Sequence, residues 1–567
     1  MKKEKTTKKV QHQEEQNLAT KDKSSKIFFI VAIILIAMFS LALTPVTLQN
    51  DTYYTIEIGK QIMETGIDMQ DHFSWHQDLA YTYPHWLYDL ITYQIYSSFG
   101  MTGIFVTTCI LSMILGVSLF LINNKITKNQ VVSFLISVGV MYLIKDYIAA
   151  RAQLVTFILF IWMIYCIEMF LKGKKKRYAI GIVGISILIA NLHVAVWPFL
   201  FVLFLPYIAE YIIASLADVI IYRKDEKRIL ELKIKHLKTK NIKHEKLEAL
   251  EEKLIKLNEH IDRVKIKRAK ELENPYKIKL VKNKNIKWLI LIMIICLFTG
   301  LITPLGDTPY TYLAKTMQGN TTQNINEHLP MTIIEQPEVL STIIIFLAIL
   351  IFTKTKIRLN DLFMIGGLCF LMLMSRRQLS MFALVGSIIL NKLICDMIKI
   401  YNKEPKNNDK KKSINKLAFL GMIIIMSIMS YHFAEEKSGD HYIDETTYPV
   451  QACDYILNNI DLGTAKFYNE YNYGSYMIYR GIPVFIDSRA DLYAPEFSGK
   501  EEDIFMDFIN VSSIGDFYED IFEKYGITHA IMYKDAKISM IIDKTKDENY
   551  KKIYEDDYFV IYERLNA

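Results

Sequence analysis

Long apolar runs alternate with charged connections along the chain, and the length of the runs decides the fold class. Runs such as IFFIVAIILIAMFSLAL (27 to 43) and LSTIIIFLAILIF (340 to 352) approach the roughly 20 residues that a helix needs to cross a bilayer. About eleven spans are predicted, near 27 to 47, 101 to 122, 131 to 149, 152 to 171, 178 to 193, 194 to 221, 288 to 304, 339 to 353, 361 to 375, 380 to 399 and 417 to 432. The fold class expected is a mainly α-helical polytopic membrane protein.

Lys and Arg fix its expected orientation. They crowd MKKEKTTKK, KGKKKR (172 to 177), the segment 222 to 287, KTKIR (354 to 358) and NKEPKNNDKKK (402 to 412), which marks these as cytoplasmic. In contrast, residues 48 to 100 hold Lys60 as their only Lys or Arg, against Asp51, Glu57, Glu64, Asp68, Asp71, Asp78 and Asp89. The N-terminus is therefore expected inside and the C-terminal region outside. The N-terminal stretch lacks the short apolar core and small-residue cleavage site of a removable signal, so the first span is expected to be retained.

The domains expected are a basic tail (1 to 26), a first membrane part (27 to 221) with the outer loop 48 to 100, an insert (222 to 287), a second membrane part (288 to 432) and an outer domain (433 to 567). In the insert, Leu247, Leu250, Leu254, Leu257, Ile261 and Val264 alternate three and four apart, the seam of a coiled coil. With the weaker stripe at Leu230, Ile234 and Leu237 and a polar break at Thr239 to Asn241, it reads as an antiparallel cytoplasmic hairpin. A solvated spacer and a dock for a cytoplasmic partner are its two readings. In the outer domain, helical patterns at 450 to 460 and 516 to 526 mix with strand-like AKFYN, SYMIY, PVFID and HAIMY, and with KKIYE and YFVIYERL around Asp556-Asp557. An α/β layer fold follows.

Charge and cysteine content add two exclusions. The net charge of +6 sums basic inner loops and a more acidic outer face, which gives no reason to expect a nucleic-acid partner. The six Cys lie singly, five in spans and Cys453 alone in the outer domain, so no disulfide framework is available there.

The candidate chemistry gathers at the outer ends of spans. Asp51 opens DTYYTIEIGKQI, where Tyr54, Ile58 and Ile62 share a helix face along the outer membrane surface; it reads as an N-cap, a catalyst or both. Asp71 is a second acid, with Asp78 in reserve. His72 and His76 have metal-ligand chemistry, though two His in a loop make a weak case. Arg151, Arg376 and Arg377 break the positive-inside pattern at the outward ends of spans. Each alone is accounted for by an acidic neighbour, but their recurrence at one depth favours a shared anion, and guanidinium suits phosphate. His193, beside Asn191, joins the layer as a hydrogen-bond donor, and Glu327 supplies a further acid. In the outer domain, Asn469, Asn472, Asp487, Arg489 and Asp491 read either as an acceptor-binding rim or as turns with an Asp to Arg pair, and Gly474 as a tight bend.

These residues carry a resemblance. NDTYYTIEIGKQIMETGIDMQDHFSWH with YPHWLYDLITYQIY, then ARAQLVTFILF, ANLHVAVW, ITPLGDTPY, INEHLP, SRRQLSMFAL and FYNEYNYGSYMIYRGIPVFIDSRADLY, resembles in order the polytopic membrane proteins of the GT-C class of glycosyltransferases. That class includes protein O-mannosyltransferases and the lipid A aminoarabinose transferase. The resemblance implies transfer of a sugar from a polyprenyl-phosphate donor in the membrane lipid to a glycan, lipid or protein acceptor on the extracytoplasmic face of the cell envelope. Asp51 would deprotonate the acceptor hydroxyl or hold a divalent metal, and Asp71 would assist. Arg151, Arg376 and Arg377 would neutralise the departing phosphate, while His193 and Glu327 orient donor or acceptor. Ala152 stands where the family pattern has Pro, and Val194-Ala195 where it has small Gly residues, a change expected to narrow the space beside His193. The first outer loop has no Asp-any-Asp metal motif. The rival readings are a non-catalytic protein that binds lipid-linked glycan or scaffolds the envelope, and a transporter, which the placement of charges at outer ends rather than mid-membrane disfavours.

Overall fold

A computed structural model describes residues 25–220, 223–239, 244–273, 277–332, 334, 336–401 and 408–565. The basic N-terminal tail and most of the polar break expected in the insert lie outside these residues.

Every apolar run folds as helix, because a chain in lipid must satisfy its backbone polar groups internally. Among the described residues, six helices are long and apolar enough to cross a membrane: α1 (Ser25–Leu43), α3 (Trp86–Thr127), α5 (Ala152–Gly173), and the helical segments Val194–Ala217, Arg376–Tyr401 and Leu417–Glu435. The chain is a multi-pass membrane protein. The remaining runs form shorter helices: α4 (Gln130–Leu143), α6 (Lys176–Leu192), Ile286–Thr299, Pro337–Phe352 and Leu359–Met374. A 16-residue helix such as Pro337–Phe352 rises only about 24 Å, less than the roughly 30 Å of a bilayer core. The expected total of eleven crossings therefore depends on helices that are individually short. Helix α3 breaks at Gly100 (φ 63°), which separates residues 86–99 from the longer apolar part that follows.

The ends of α5 carry two different charged layers. Arg151 caps its start, whereas near its finish the buried Glu168 accepts from Lys392 Nζ (3.0 Å) and from the Tyr207 hydroxyl (3.1 Å). Lys392 also binds Asp361 at 3.0 Å, and Arg358 reaches Glu210 at 2.8 Å. Sequence reading saw only the first layer. The second is a network in which each buried charge has a partner of opposite sign, as burial of charge requires. It also anchors the insert: the backbone N–H of Val281 donates to Glu210 (3.1 Å), and β1 (Ile278–Lys279) pairs in parallel with β2 (Ile357–Arg358). Within the insert, helices Lys224–Thr239 and His244–Glu273 pack through Leu230, Leu257 and Ile261, with Leu250 and Leu254 against them.

Residues after 440 form a layered α/β unit. Its sheet has the order β3 (Phe467–Tyr468), β4 (His529–Tyr533), β6 (Phe559–Arg564), β5 (Tyr550–Glu555), with β3 parallel to β4 and the other pairs antiparallel. The β5–β6 turn is set by Asp556, whose Oδ1 accepts from the backbone N–H groups of Tyr558 and Phe559. Two strand expectations fail. SYMIY lies in the helix Tyr471–Tyr479, which is buried on all sides from Tyr473 to Ile478, and PVFID is irregular apart from a bridge from Val484 to Ser74. Gly474 is not at a bend either. A Cβ there would fall 2.0 Å from the Ile486 carbonyl oxygen, so its role is to let this helix approach the 484–487 backbone.

The helix α2 (Asn50–Thr65) is held from several sides rather than lying on a surface with one face free. Tyr54 and Ile58 join a core with Tyr83, Tyr468 and Phe485, while Tyr53 and Ile56 join another with Tyr448, Ala452 and Tyr476. Gly59 brings α2 against α3, where a Cβ would meet the Asp89 carbonyl oxygen at 2.1 Å. The start of α2 is thereby fixed in place.

Candidate active site

Asp51 sits in the first turn of α2, not at its cap; the cap position is Gln49, which makes no side-chain capping bond. A carboxylate in this turn is favoured by the unsatisfied N–H groups and dipole of the helix start. Asn50 ties the same turn to the C-terminal unit by donating to the Tyr471 carbonyl (2.9 Å). Asp51 itself pairs with Arg151, which stands at the cap of α5 in extended conformation.

Arg151 bridges two acids, since its other terminal nitrogen donates to Glu327 Oε1 at 3.1 Å. Burial works against its charge, but Asp51 and Glu327 outweigh that and push its pKa above the usual arginine value. Its Nε–H is buried and has no hydrogen-bond partner among the described residues. Glu327 lies in the short 3-10 turn Asn326–His328; burial would raise its pKa, yet Arg151 and Arg377 hold it below the usual carboxylate range. That turn packs on a second one, Arg376–Gln378, through Ser375 Oγ donating to the Glu327 carbonyl (3.3 Å). Arg377 Nη1 approaches His328 Nε2 at 3.4 Å.

These groups converge on a cavity of about 1200 Å³ lined by Asp51, Tyr54, Arg151, His193, Glu327 and Arg377 on one side and by Tyr471, Asn472, Ser488 and Asp491 on the other. A smaller cavity of about 250 Å³ adjoins it, lined by Arg151, Glu327, Arg376 and Arg377. Arg376 faces only the smaller one. His193 is buried, with Nδ1 3.0 Å from the Thr156 hydroxyl. The space beside it is not closed by Val194-Ala195, because Ala195 and Val196 line the large cavity with it. Asn191 takes no part, since its amide donates to the Ile187 and Ile302 carbonyls.

Asp71 lies elsewhere. It is a buried carboxylate bonded to Arg489 (2.6 Å) and to the Ser74 hydroxyl (2.5 Å), and it lines neither cavity. Arg489 in turn holds Asp487 at 2.7 and 2.9 Å. The catalytic assistance expected of Asp71 is thus replaced by a structural ion triad that joins the outer loop to the C-terminal unit. Asp78 is exposed and remote from this geometry. Asn469 is structural as well, accepting from the Phe485 N–H and donating to the Ile486 carbonyl. Asp491 accepts from Tyr312 (2.5 Å) and Thr321 (3.0 Å) and so fixes the segment that closes one side of the cavity.

The divalent metal fits this donor set poorly. Among the described residues no three of His, Cys, Asp and Glu gather as ligands. Asp51 and Glu327 are both engaged by Arg151, and the loop histidines diverge: His72 pairs with Asp68, and His76 stacks on Trp75 while its Nε2 meets the Phe485 carbonyl at 2.9 Å.

Burial pushes His76 down to about 4. The unfolded chain therefore binds the extra proton first, below its ordinary value near 6.5, and stability is expected to fall as pH drops from there towards 4, by at most about 3 kcal/mol. Unfolding temperatures in detergent between pH 7 and pH 4.5 check this. His76→Gln should flatten the decline, and parallel curves for the two proteins would contradict it.

Sequence reading missed His85, Tyr312 and His328, all of which line the large cavity. One signal was present: His85 and Asp89 stand four apart at the start of a helix.

No family model matches the chain, and no curated protein sequence does. Solved structures do. The oligosaccharyltransferase of Archaeoglobus fulgidus in its apo form aligns with a TM-score of 0.50 at 10% identity, covering 89% of this chain and 69% of that one. ArnT from Cupriavidus metallidurans bound to undecaprenyl phosphate aligns at 0.49 and 8%, covering 95% and 98%, and its apo form at 0.39 and 9%, with the same coverage. The chain shares the fold of GT-C membrane glycosyltransferases, as the motif series implied.

Proposed function

We propose that this chain, built on the GT-C fold, transfers a sugar from a polyprenyl-phosphate donor to an envelope acceptor on the extracytoplasmic face. The observation that carries the reading is the convergence of Arg151, Arg376 and Arg377 on one small cavity that opens beside Asp51. Arginine matches phosphate through paired N–H donors. Charge builds on the phosphate as the glycosidic bond breaks, so donors already fixed in place stabilise that transition state without reorganising.

In this reading Arg377 and the free Nε–H of Arg151 receive the phosphate. Asp51 holds Arg151 in position. Glu327 sets the second edge of Arg151, and His193 bounds the sugar space. All eleven apolar helices cross or enter the bilayer, with the N-terminus and the insert in the cytoplasm and residues 433 to 567 outside, as the Lys and Arg distribution requires. A transporter would need its ionisable groups along a path through the membrane; the inner charges at Glu168, Asp361 and Lys392 are instead paired with one another.

Binding of polyprenyl phosphate to the purified protein tests the proposal. Arg377→Gln should weaken it about 10- to 100-fold, the worth of a charge-assisted hydrogen bond. Equal binding by the two proteins would remove Arg377 from the phosphate site.

A further inference from the structure

The large cavity contains a second polar device that the proposed roles leave unused. His85 lines it, at the position that caps α3, and one turn later on the same helix Asp89 presents a fully buried carboxylate. His85 Nδ1 is 3.4 Å from Asp89 Oδ1. That nitrogen and both Asp89 carboxylate oxygens are buried with no hydrogen-bond partner among the described residues, so each is the other's nearest opposite polar group, within an ion-pair distance but short of a formed hydrogen bond; the His85 side chain keeps 16% of its surface exposed, so the edge offered to the cavity is the one bearing Nε2. Asp89 cannot drift away, because its backbone carbonyl lies against Gly59 of α2 where no side chain would fit. Around the imidazole stand Tyr54 from α2, stacked at 6.2 Å, and His193 from the end of α6, at 5.6 Å. The charges of Arg151 and Arg489 lie beyond them.

We infer that His85, oriented by Asp89, is the group that receives the proton of the acceptor hydroxyl; the inference rests on the glycosyl-transfer reading above. A carboxylate backing one ring nitrogen fixes the tautomer with the proton on that nitrogen and leaves the other with its lone pair free. Asp51 is less suited to keep the proton, since its carboxylate is already committed to Arg151. An imidazole is matched to a proton transfer near neutral pH, where the product of basicity and availability is largest. In the step itself, the acceptor oxygen forms a bond to the anomeric carbon of the donor sugar. The bond from that carbon to the phosphate oxygen breaks, with its electron pair leaving on the phosphate. The hydroxyl proton passes to His85 Nε2. His85 is then a catalytic residue and Asp89 a positioning residue.

Two measurements on the full-length protein in detergent test this. Nitrogen-15 NMR of histidine-labelled protein, with the His85 signal identified by its absence from His85→Gln, should show the neutral ring protonated on Nδ1. In Asp89→Asn the population should shift to the form protonated on Nε2. A ring protonated on Nε2 in the unaltered protein, or one indifferent to Asp89→Asn, overturns the inference whatever the activity. In the transfer assay His85→Gln should lose about 10²- to 10⁴-fold at neutral pH with its unfolding temperature kept; full activity overturns the inference while leaving the glycosyl-transfer reading standing. Absence of transfer by the unaltered protein would count against that reading, and the NMR result would still decide the arrangement at His85.

Discussion

Asp51→Asn is expected to lower sugar transfer about 10²- to 10⁴-fold while the protein stays folded. The amide keeps the shape of the side chain and its place in the first turn of α2, but it carries no charge for Arg151. Arg151 would then be held by Glu327 alone, which lies on a separate short turn and is about half exposed. The guanidinium would lose its fixed aim at the phosphate. Parallel assays of transfer and of thermal unfolding separate this from a loss of folding. Full activity in the variant would remove Asp51 from the mechanism.

The second large effect concerns stability. Arg489→Met should cost about 3–5 kcal/mol, because it strands the carboxylates of Asp71 and Asp487 in a region where both are inaccessible to water. The native triad keeps Asp71 ionised: burial pushes its pKa upward, but Arg489 and the bonds from Ser74 outweigh that and leave it below the usual value. The stability that Asp71 contributes is therefore present above the ordinary carboxylate range and is lost as pH falls through its lower folded value. Arg489→Met should remove this acid-side dependence along with the several degrees of unfolding temperature. A variant with unchanged unfolding temperature would show that the triad is dispensable.

Asp71 also shows where sequence reading stops. The outer loop offers several acids, and nothing local separates one that faces a cavity from one that meets an arginine 418 residues later in the chain. Asp51 was legible because its position at the end of a span and the start of an amphipathic helix is encoded locally. The arginines were legible for a related reason: a cation on the side of the membrane where Lys and Arg are scarce needs an explanation. What the pattern lacked was their division, with Arg376 confined to the small cavity and Arg377 shared by both.

The membrane helices could be read because apolar length is a one-dimensional property. The helix Tyr471–Tyr479 was read as a strand because its tyrosines suit strands by propensity. Its burial from Tyr473 to Ile478, with Tyr476 packed against Tyr53, comes from tertiary contacts that propensity does not report. The inner network of Glu168, Asp361 and Lys392 was hidden for the opposite reason, since each lies in a largely apolar helix and only packing brings the three together. His85 and Asp89 had the right spacing, but that spacing gains meaning only from the cavity on one side of the ring and the buried carboxylate on the other.

Turnover is the most direct test of the central claim. Purified protein in lipid, offered a panel of polyprenyl-phosphate sugars with and without divalent cations, should release free polyprenyl phosphate from at least one donor, and Asp51→Asn should not. No release from any donor, by a protein shown to be folded and supplied with cell-envelope extract as acceptor, would contradict the claim and favour a protein that binds lipid-linked glycan without cleaving it.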